Sequence, residues 1–339
     1  MGYQRVLLLG ATGQTGGSIL DGLLECGKFD VDALIRPSSA YSPSVAALPQ
    51  RGVKTVIADI GAPVDELAIL LNGYEIVISA IDAMGQLAQL NLATAAKKAG
   101  VKRFVPCAFI SIAPPGGVID LRDEKEVVFQ HIRKLFLPYT FIDVGVWFQT
   151  SFPTLPSGRV DYASIFIPNT TLHAGGDIPN LLTDIPDIGR FVARIVDDER
   201  TLNKYVYTWS DLLSQNQVFS ILEEMSGEKI ERTHVSADNI EKSIKQIKAA
   251  LEADPSNLSK RLSLLPAQYS YSRAVRGDNQ PAYAKYLGYL DARELYPDFK
   301  PKSFREFTRE LLDGKAEKPY KDNKLFERLK SGLEDGMVQ

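Results

Sequence analysis

The sequence predicts an α/β protein whose first half forms a doubly wound parallel sheet with helices on both faces. Two observations support this class. Short apolar runs alternate with amphipathic segments through the first half of the 339-residue chain, and short loops join them, as in parallel α/β sheets. The first apolar run, Val6–Leu9, leads into a glycine-rich turn and then into a segment with apolar residues at helical spacing. A strand, a tight glycine turn and a helix in this order are typical of a Rossmann-type fold.

The glycine-rich turn has the sequence Gly10-Ala11-Thr12-Gly13-Gln14-Thr15-Gly16. Gly10 allows the chain to turn, Gly13 allows the backbone to approach a pyrophosphate, and Gly16 allows the helix to pack against the strand. The unpaired N–H groups at the start of the helix then face the anion. This predicts a dinucleotide site formed by Gly10, Thr12, Gly13, Gln14, Thr15 and Gly16. A glycine turn without a ligand is the alternative.

The end of the second strand indicates which dinucleotide is bound. This strand is predicted over Val31–Ile35, and Arg36 follows it about 20 residues after the last glycine, where an acidic residue favours NAD and an arginine accommodates a 2′-phosphate. The hydroxyl groups of Ser38 and Ser39 can add neutral donors. We therefore expect NADP(H) as the cofactor. A solvated loop arginine is the alternative, and Asp32 lies too near the start of the strand to hold a ribose.

Three further strand ends are expected at the same crevice, because strand ends of a doubly wound sheet border its ligand site. The predicted strands are Val53–Ala58, Ile76–Ser79 and Arg103–Pro106. The residues after them are candidates for cofactor contacts: Asp59, Ala80, Ile81 and Phe109. Asp59 could equally cap a helix. A short helix is also expected to begin near Pro43, a residue suited to the first helical position.

Lys125 is the candidate catalytic residue. A helix is expected from about Asp120 through Phe136, followed by a strand over Tyr139–Val144. Lys125 lies near the start of this helix, where the helix dipole disfavours a cation. Its pKa is therefore expected to be lowered, which suits a lysine that transfers protons.

Several segments resemble the isoflavone reductase-like group of the NmrA-like family, which belongs to the atypical short-chain dehydrogenases. They are Leu137-Pro138-Tyr139-Thr140-Phe141, Asp187-Ile188-Gly189, Val196–Lys204, Leu213–Asn216 and Glu294–Asp298. Together with the glycine turn they cover nearly the whole chain. The resemblance implies NADPH-dependent reduction of bulky phenolic or heterocyclic molecules, as in the phenylcoumaran benzylic ether reductases.

The resemblance also places the group's catalytic lysine at Lys125, which would hold the nicotinamide ribose as well. Three positions depart from the expected pattern. Leu121 replaces the tyrosine of the dehydrogenase Tyr-x-x-x-Lys pair, so Lys125 would act without that phenol. Ser44 stands where the group commonly has a lysine for the 2′-phosphate, so a weaker NADP preference is expected. Ala108 replaces a glutamate after the fifth strand, which changes the substrate pocket.

The second half is expected to form a smaller, mainly helical substrate-binding domain made of residues 154–182 and 211–312. Residues 1–153, with about 183–210 returning to them, would form the cofactor domain, and 313–339 a charged docking segment. The spacing of Ile240, Ile244, Ile247 and Leu251 predicts a helix. Candidate substrate contacts are Ile110, Trp147, Phe148, Phe152, Tyr269 and Tyr271. For the three aromatic residues after the sixth strand, burial in the core is an equally open interpretation.

Composition and charge argue against several function classes. A net charge of −3 and a pI near 5.8 give no field that attracts nucleic acid or an anionic membrane, and no apolar run approaches the roughly 20 residues of a membrane span. The two cysteines and three histidines lack metal-ligand spacing, so no metal is expected. Reduced thiols are typical of a cytoplasmic protein. We expect a monomer or homodimer that binds a small molecule.

These observations together predict an NADPH-dependent reductase that transfers a hydride to a bulky aromatic, phenolic or heterocyclic secondary metabolite, with Lys125 as proton relay. Two alternatives stay open. An NADP-sensing, NmrA-like regulatory protein would bind the cofactor and a protein partner without turnover. A biosynthetic enzyme would use the pocket for non-redox cyclisation or rearrangement, and the absence of the glutamate at Ala108 keeps that alternative open.

Overall fold

The computed structural model describes residues 3–321, apart from the side chain of Met84. The strands within this range are β1 (Gln4–Leu9), β2 (Phe29–Ile35), β3 (Lys54–Ile57), β4 (Ile76–Ser79), β5 (Arg103–Val105), β6 (Thr140–Asp143), β7 (Val146–Trp147), β8 (Thr171–His173), β9 (Asn180–Thr183), β10 (Lys204–Tyr207), β11 (Asp211–Leu213), β12 (Thr233–Val235) and β13 (Leu290–Asp291). The α-helices are α1 (Gln14–Cys26), α2 (Pro43–Ala46), α3 (Val64–Leu70), α4 (Gln89–Lys98), α5 (Asp120–Lys134), α6 (Ile185–Asp197), α7 (Gln215–Ser226), α8 (Ala237–Ala253), α9 (Leu258–Ser270), α10 (Pro281–Tyr286), α11 (Ala292–Leu295) and α12 (Phe304–Leu312).

The five N-terminal strands form one parallel sheet in the order β3-β2-β1-β4-β5. β4 is buried along its whole length and β1 over its last four residues, because helices cover both faces of the sheet and the strands are correspondingly apolar. The strand order changes direction at β1, so the crevice beyond the carboxyl ends of β1 and β4 is the point where ligands bind in such sheets. The predicted fold class is confirmed.

A second set of parallel strands continues this sheet beyond β5. β10 lies between β6 and β13 and pairs with both in parallel. β6 follows β5 through a single bridge between Phe104 and Tyr139, and the Phe104 N–H donates to the Pro138 carbonyl at 2.8 Å. The predicted sixth strand is therefore present, although its regular part is shorter than Tyr139–Val144. The strand pairing thus carries the parallel arrangement well past the fifth strand.

Helix α6 brings the chain back onto the first helix after a long excursion. The Ser18 hydroxyl in α1 donates to the Ile185 carbonyl at 2.5 Å and accepts the Gly189 N–H at 2.9 Å. Most of the apolar side of α6 is buried in the same core cluster as α1 and β1. Helix α6 therefore lies against the N-terminal sheet, and β10 pairs with β6 in its continuation.

The remaining chain forms smaller sheets and the helices that face the crevice. β9 pairs with β7 in parallel and with β11 in antiparallel fashion, while β8 pairs with β12. The helix predicted from the isoleucine spacing is present as α8, where Ile240 and Ile247 are buried. Helix α9 runs into a π-helical turn, Tyr271–Arg276, which ends at Gly277. These elements form the wall opposite the sheet ends.

The C-terminal part of the described chain follows α12 along the crevice. Helix α12 begins with a capping box in which the Ser303 and Glu306 side chains pair with backbone N–H groups. Residues 315–321 have no helix, and residues 322–339 of the predicted docking segment lie outside the described residues. Among the described helices, none combines the length and hydropathy needed to cross a bilayer.

Candidate active site

One large cleft of about 2560 Å³ begins at the glycine turn and extends past the ends of the central strands into the second half of the chain. Typical small-molecule sites have about 300–1,000 Å³, so this cleft can hold a dinucleotide together with a large second ligand. Its first part is lined by the strand ends predicted above, and its second part by residues of β8, α8, α9 and the segment after α12. Both ligands would therefore meet in one continuous space.

The glycine turn has the close backbone packing that a dinucleotide site needs. Gly10 has φ +78°, and a Cβ there would lie 2.3 Å from the Ala80 carbonyl oxygen; a Cβ at Gly16 would lie 1.9 Å from the Gly10 oxygen. Gly13 precedes α1, whose first turn has neither a side-chain cap nor an acidic residue. Its N–H groups are therefore left for an anion. The geometry fits a pyrophosphate.

Five of the six residues predicted for the glycine-turn site line the cleft. Thr12, Gly13, Gln14 and Thr15 all line the cleft, as does Gly10 itself. Gly16 does not reach the cleft, because it packs against the backbone of Gly10. Its contribution is to let the helix approach the strand, as the sequence predicts.

Arg36 lines the cleft directly after β2, with its side chain 69% exposed. Its Nε donates to the Ser39 hydroxyl at 2.9 Å, and its Nη1 lies 3.8 Å from an Asp82 carboxylate oxygen. The guanidinium thus keeps donors available for a phosphate. The prediction that Ser38 contacts the cofactor is corrected, because Ser38 is exposed but does not line the cleft. The 3₁₀ turn that begins at Pro37 directs Ser39 toward the arginine instead.

Hydroxyl groups replace the lysine that the family pattern places near position 44. Ser44 lines the cleft, and its hydroxyl lies 3.2 Å from that of Ser42, which caps the short helix α2. Asp32 faces away from this region, since its carboxylate accepts hydrogen bonds from Tyr74 at 2.6 Å and Arg5 at 3.4 Å. The cleft around Arg36 therefore contains neutral donors and no acidic residue at the end of β2.

The other predicted cofactor contacts line the cleft after their strands. Asp59 follows β3, and one of its carboxylate oxygens accepts the Gly61 N–H at 2.9 Å, so it also shapes its own turn. Ala80 and Ile81 follow β4. Phe109 has φ +44°, and its N–H donates to the Ile142 carbonyl at 2.8 Å, which fixes this turn to β6. Ile110 lines the cleft beside it.

Lys125 projects from the second turn of α5 into the cleft floor and is only 2% exposed. Its ammonium donates to the Cys107 carbonyl at 2.6 Å and to the Gln86 side-chain oxygen at 3.0 Å, and lies 3.7 Å from the Cys107 sulfur. Burial is the main cause that lowers its pKa, and the charge of Arg122 acts in the same direction. The predicted direction agrees with this result, but the cause is desolvation rather than the helix terminus.

Two glutamines that sequence analysis missed hold this site together. Gln86 and Gln89 follow β4 and are almost fully buried. Gln86 donates to the Asp82 carbonyl at 2.7 Å, and Gln89 donates to the Gln86 side-chain oxygen at 3.2 Å and accepts the Cys107 N–H at 2.8 Å. The only sequence feature that could have indicated them is that the two glutamines are three residues apart at the start of a helix. They orient the acceptors of Lys125.

A buried ion pair lies behind Lys125. Arg122, one turn earlier on α5, pairs with Asp143 at the end of β6, and both side chains are 1% exposed. The Tyr289 hydroxyl donates to the same carboxylate at 2.7 Å. Because Asp143 compensates the buried guanidinium, the pKa of Arg122 stays raised despite the desolvation. This pair fixes α5, and with it Lys125, to the sheet.

The structure separates the predicted substrate contacts into two groups. Trp147 and Tyr269 line the cleft. The prediction that Phe148 and Phe152 contact the substrate is corrected. They are 0% and 2% exposed and pack in a core cluster with Phe304 and Phe307. Tyr271 is also corrected: it does not line the cleft, and it contacts Arg276 on the other side of the π-helical turn.

Two cleft residues lie in the region where the Tyr-x-x-x-Lys pair of other dehydrogenases would have its tyrosine hydroxyl. Leu121 lines the cleft one helical turn before Lys125, so the position expected for a tyrosine is apolar. Tyr320 lines the cleft from the C-terminal segment, and its ring centroid lies 5.9 Å from that of Trp147. Burial and the nearby Cys107 raise the pKa of Tyr320 to about 12.

Within residues 3–321 no group of three His, Cys, Asp or Glu side chains is arranged to hold a metal.

The family assignment rests on the match of residues 3–308 to the model of the NmrA-like family. The chain belongs to the NmrA-like family. One relative is asnovolin J 5′,6′-dehydrogenase nvfM of Aspergillus novofumigatus, which is 42% identical over 312 residues, covering 91% of this chain and 95% of that protein. The probable pinoresinol-lariciresinol reductase 3 of Arabidopsis thaliana is 28% identical, covering 91% of this chain and 97% of that protein.

A solved structure shows the same fold. The binary complex of leucoanthocyanidin reductase and NADPH from Vitis vinifera has a TM-score of 0.76 at 23% identity, covering 91% of this chain and 99% of that chain. The resemblance to the isoflavone reductase-like group is confirmed by these NmrA-like relatives. At this identity the structural likeness establishes the fold, and the chemistry must be argued from the residues of the cleft.

Proposed function

We propose that this protein is an NADP(H)-dependent oxidoreductase that transfers a hydride between the nicotinamide and a bulky aromatic, phenolic or heterocyclic molecule. The observation that carries the proposal is that a buried lysine shares one cleft with a glycine turn and an arginine suited to a 2′-phosphate. Relatives named as a dehydrogenase and a reductase, and a similar structure named as an NADPH complex, support it.

The cofactor would lie across the strand ends in the first part of the cleft. The N–H groups at the start of α1 would bind the pyrophosphate, and Arg36 with Ser39 would bind the 2′-phosphate. Asp59, Ala80, Ile81 and Phe109 would border the rest of the dinucleotide. When bound, the nicotinamide supplies or accepts the hydride.

Lys125 would move the proton that accompanies the hydride. In the reductive direction it would donate a proton to the substrate atom that receives the electron pair, and in the oxidative direction it would accept that proton. Its lowered pKa brings this exchange closer to neutral pH. The Gln86 and Cys107 oxygens hold the ammonium at a fixed position, so the residue would already be oriented for transfer.

The second half of the chain would supply the substrate site. We propose the division expected from the sequence, with residues 154–182 and 211–312 as the substrate-binding domain. Tyr269 from α9 and Trp147 from β7 line the cleft together with Ile110. Leu121 and Ala108 also line it, so the wall beside Lys125 is apolar where the family pattern has a phenol and a carboxylate. Such a wall favours a large apolar substrate.

The test is turnover by the purified protein. NADPH production from NADP+ and asnovolin J, and NADPH consumption with pinoresinol, would be followed by absorbance, with product identified by mass spectrometry. A Lys125→Met variant should lose either activity, while Lys134→Met, at an exposed position of the same helix, should retain it. NADPH binding without turnover on any tested substrate would favour the regulatory alternative. Product formed without net change in NADPH would favour the non-redox alternative.

A further inference from the structure

We propose that the substrate end of the cleft binds an oxyanion, a carboxylate or enolate attached to an otherwise apolar molecule, and that Arg273 is the residue that binds it. This inference rests on the proposed function, because it specifies the substrate class for the same cleft. It assigns a role to a cation that neither the glycine turn nor Lys125 requires.

Arg273 lines the cleft from the π-helical turn after α9. Its Nε donates to the Tyr269 carbonyl at 3.2 Å, and its guanidinium carbon lies 5.7 Å from the centroid of the Tyr269 ring. Burial lowers the pKa of Arg273, and no Asp or Glu among residues 3–321 forms an ion pair that counters this shift. Within the described chain, the two terminal nitrogens of Arg273 donate to neither a carboxylate nor a backbone carbonyl.

Arg276, three residues later in the same turn, differs from Arg273 because it pairs with a carboxylate. Its Nε donates to Asp278 at 2.9 Å, and the Ser272 hydroxyl donates to the same carboxylate at 2.8 Å. The turn therefore provides a counter-charge for one arginine and not for the other. A half-buried arginine without a counter-charge costs folding free energy, and a π-helical turn in this position is frequent at functional sites.

The charged residues that line the cleft favour an anionic ligand. Away from the glycine turn and its neighbours Arg36, Asp59 and Asp82, the charged residues that line the described cleft are Lys125, Lys260, Arg273, Lys318, Lys321 and a single acid, Glu317. This excess of cations attracts anions into the cleft. His173 lines the same region, and burial together with the charge of Arg273 lowers its pKa.

The rest of this wall is apolar and sets the other half of the ligand's chemistry. Ile178, Val218, Phe219, Ile240, Ile247 and Leu265 line it. Burial raises the pKa of the Tyr269 hydroxyl, which also responds to the charges of Arg122 and Asp143. The Gln268 side chain, next to Tyr269, donates to Asp120 at the start of α5 at 2.7 Å, so the wall that carries Tyr269 and Arg273 meets the helix that carries Lys125. A substrate with its reacting carbon near Lys125 would place an anionic substituent at Arg273.

The experiment uses one ligand pair that differs only in charge. Calorimetric titration of the full chain with naphthoate and with its uncharged counterpart naphthamide is carried out with and without saturating NADP+. Wild-type protein should bind naphthoate more tightly than naphthamide. Arg273→Gln should weaken naphthoate by about tenfold or more, since a charge-assisted hydrogen bond is lost, and leave naphthamide unchanged.

Two further variants make the result decisive. Arg273→Lys keeps the charge and should retain part of the preference for naphthoate, which also covers the case in which Arg273→Gln fails to fold. Arg261→Gln removes an exposed arginine of α9 that does not line the cleft, and it should behave as wild type. Equal affinity of the wild type for both probes, or equal losses of both in Arg273→Gln, would overturn the proposal.

NADPH affinity, measured on the same preparations, separates this proposal from the proposed function. A wild-type protein that binds NADPH but shows no preference for naphthoate over naphthamide would overturn the role of Arg273 alone. A wild-type protein that does not bind NADPH would overturn the proposed function, and the titrations without cofactor would still decide whether Arg273 selects an anion.

Discussion

Replacement of Lys125 by methionine tests the central step of the proposed mechanism. The substitution keeps an unbranched apolar chain, one atom shorter, and removes the ammonium. The Cys107 carbonyl therefore loses its donor at 2.6 Å, while the Gln86 oxygen keeps its bond from Gln89. One buried acceptor without a partner costs about 1–3 kcal/mol of folding stability. Removal of a desolvated cation offsets part of that cost, because burial already disfavours the charged form. We expect a folded protein with a modest loss of stability.

Turnover should fall much more than stability. Loss of a positioned proton donor lowers the rate by about 10²–10⁴-fold, and NADPH affinity should stay within about tenfold of wild type, because the pyrophosphate and 2′-phosphate contacts lie elsewhere. Single-turnover absorbance measurements give the rate, and fluorescence titration gives the NADPH affinity. In wild type the reductive rate should fall as pH rises through the lowered lysine pKa, and this alkaline loss should be missing from the residual rate of Lys125→Met.

The control for this prediction is Lys134→Met, which changes an exposed lysine in the last turn of the same helix. It should reduce the free energy of unfolding by roughly 0.3 kcal/mol, because it removes a cation that interacts favourably with the helix dipole. Turnover should be unchanged. A turnover of Lys125→Met within about twofold of wild type would refute the proton-relay role. So would an equal loss of turnover in the two variants, because the effect would then follow from helix α5 rather than from the ammonium.

Three further predictions concern the cofactor and the buried charges. Arg36→Ala should weaken NADPH by about tenfold more than NADH in fluorescence titrations; equal losses would argue against a 2′-phosphate contact. Asp143→Asn should leave Arg122 buried without its counter-charge and lower the free energy of unfolding by about 3–5 kcal/mol, measured with urea; a loss below about 1 kcal/mol would contradict the importance of the pair. Burial raises the pKa of Asp187 from 3.8 to about 6, so its folding contribution is present at low pH and lost as pH rises through that value. Because this loss begins at the ordinary pKa and is complete above the raised one, Asp187→Asn should gain about 2 kcal/mol of stability relative to wild type between about pH 4 and about pH 7. A constant difference in urea midpoints would exclude a raised pKa.

The parts of the site that were predictable are those encoded in short, continuous segments. The glycine turn occurs where a strand gives way to a helix, and its close contacts with the backbone after β4 leave no room for a Cβ at Gly10. Arg36 is found at a fixed distance along the chain, at the end of the next strand. Lys125 is found by its place at the start of a helix and by the resemblance to the family. Each of these signals is local, because it depends on the geometry of one βα unit.

The incorrect predictions concern residues whose environment is set by distant segments. Phe148 and Phe152 follow the sixth strand and were equally compatible with core and pocket, but α12 packs on them from more than a hundred residues away in the chain. Ser38 and Ser39 are neighbours in sequence, and the turn after Arg36 directs only the second toward the guanidinium. Tyr271 lies in a π-helical turn, and a 3.6-residue pattern does not describe its spacing.

The sequence by itself determined the order of strands and helices, the position of the cofactor turn and the identity of the candidate lysine, because these depend on periodicity and on the chemistry of adjacent residues. Only the tertiary structure decided that Lys125 is held by Gln86 and Cys107, and that Arg273 faces the cleft without a counter-charge while Arg276 has one. Burial and charge compensation are sums over every segment that surrounds a side chain. They are fixed when the chain closes on itself, and no single stretch of sequence contains them.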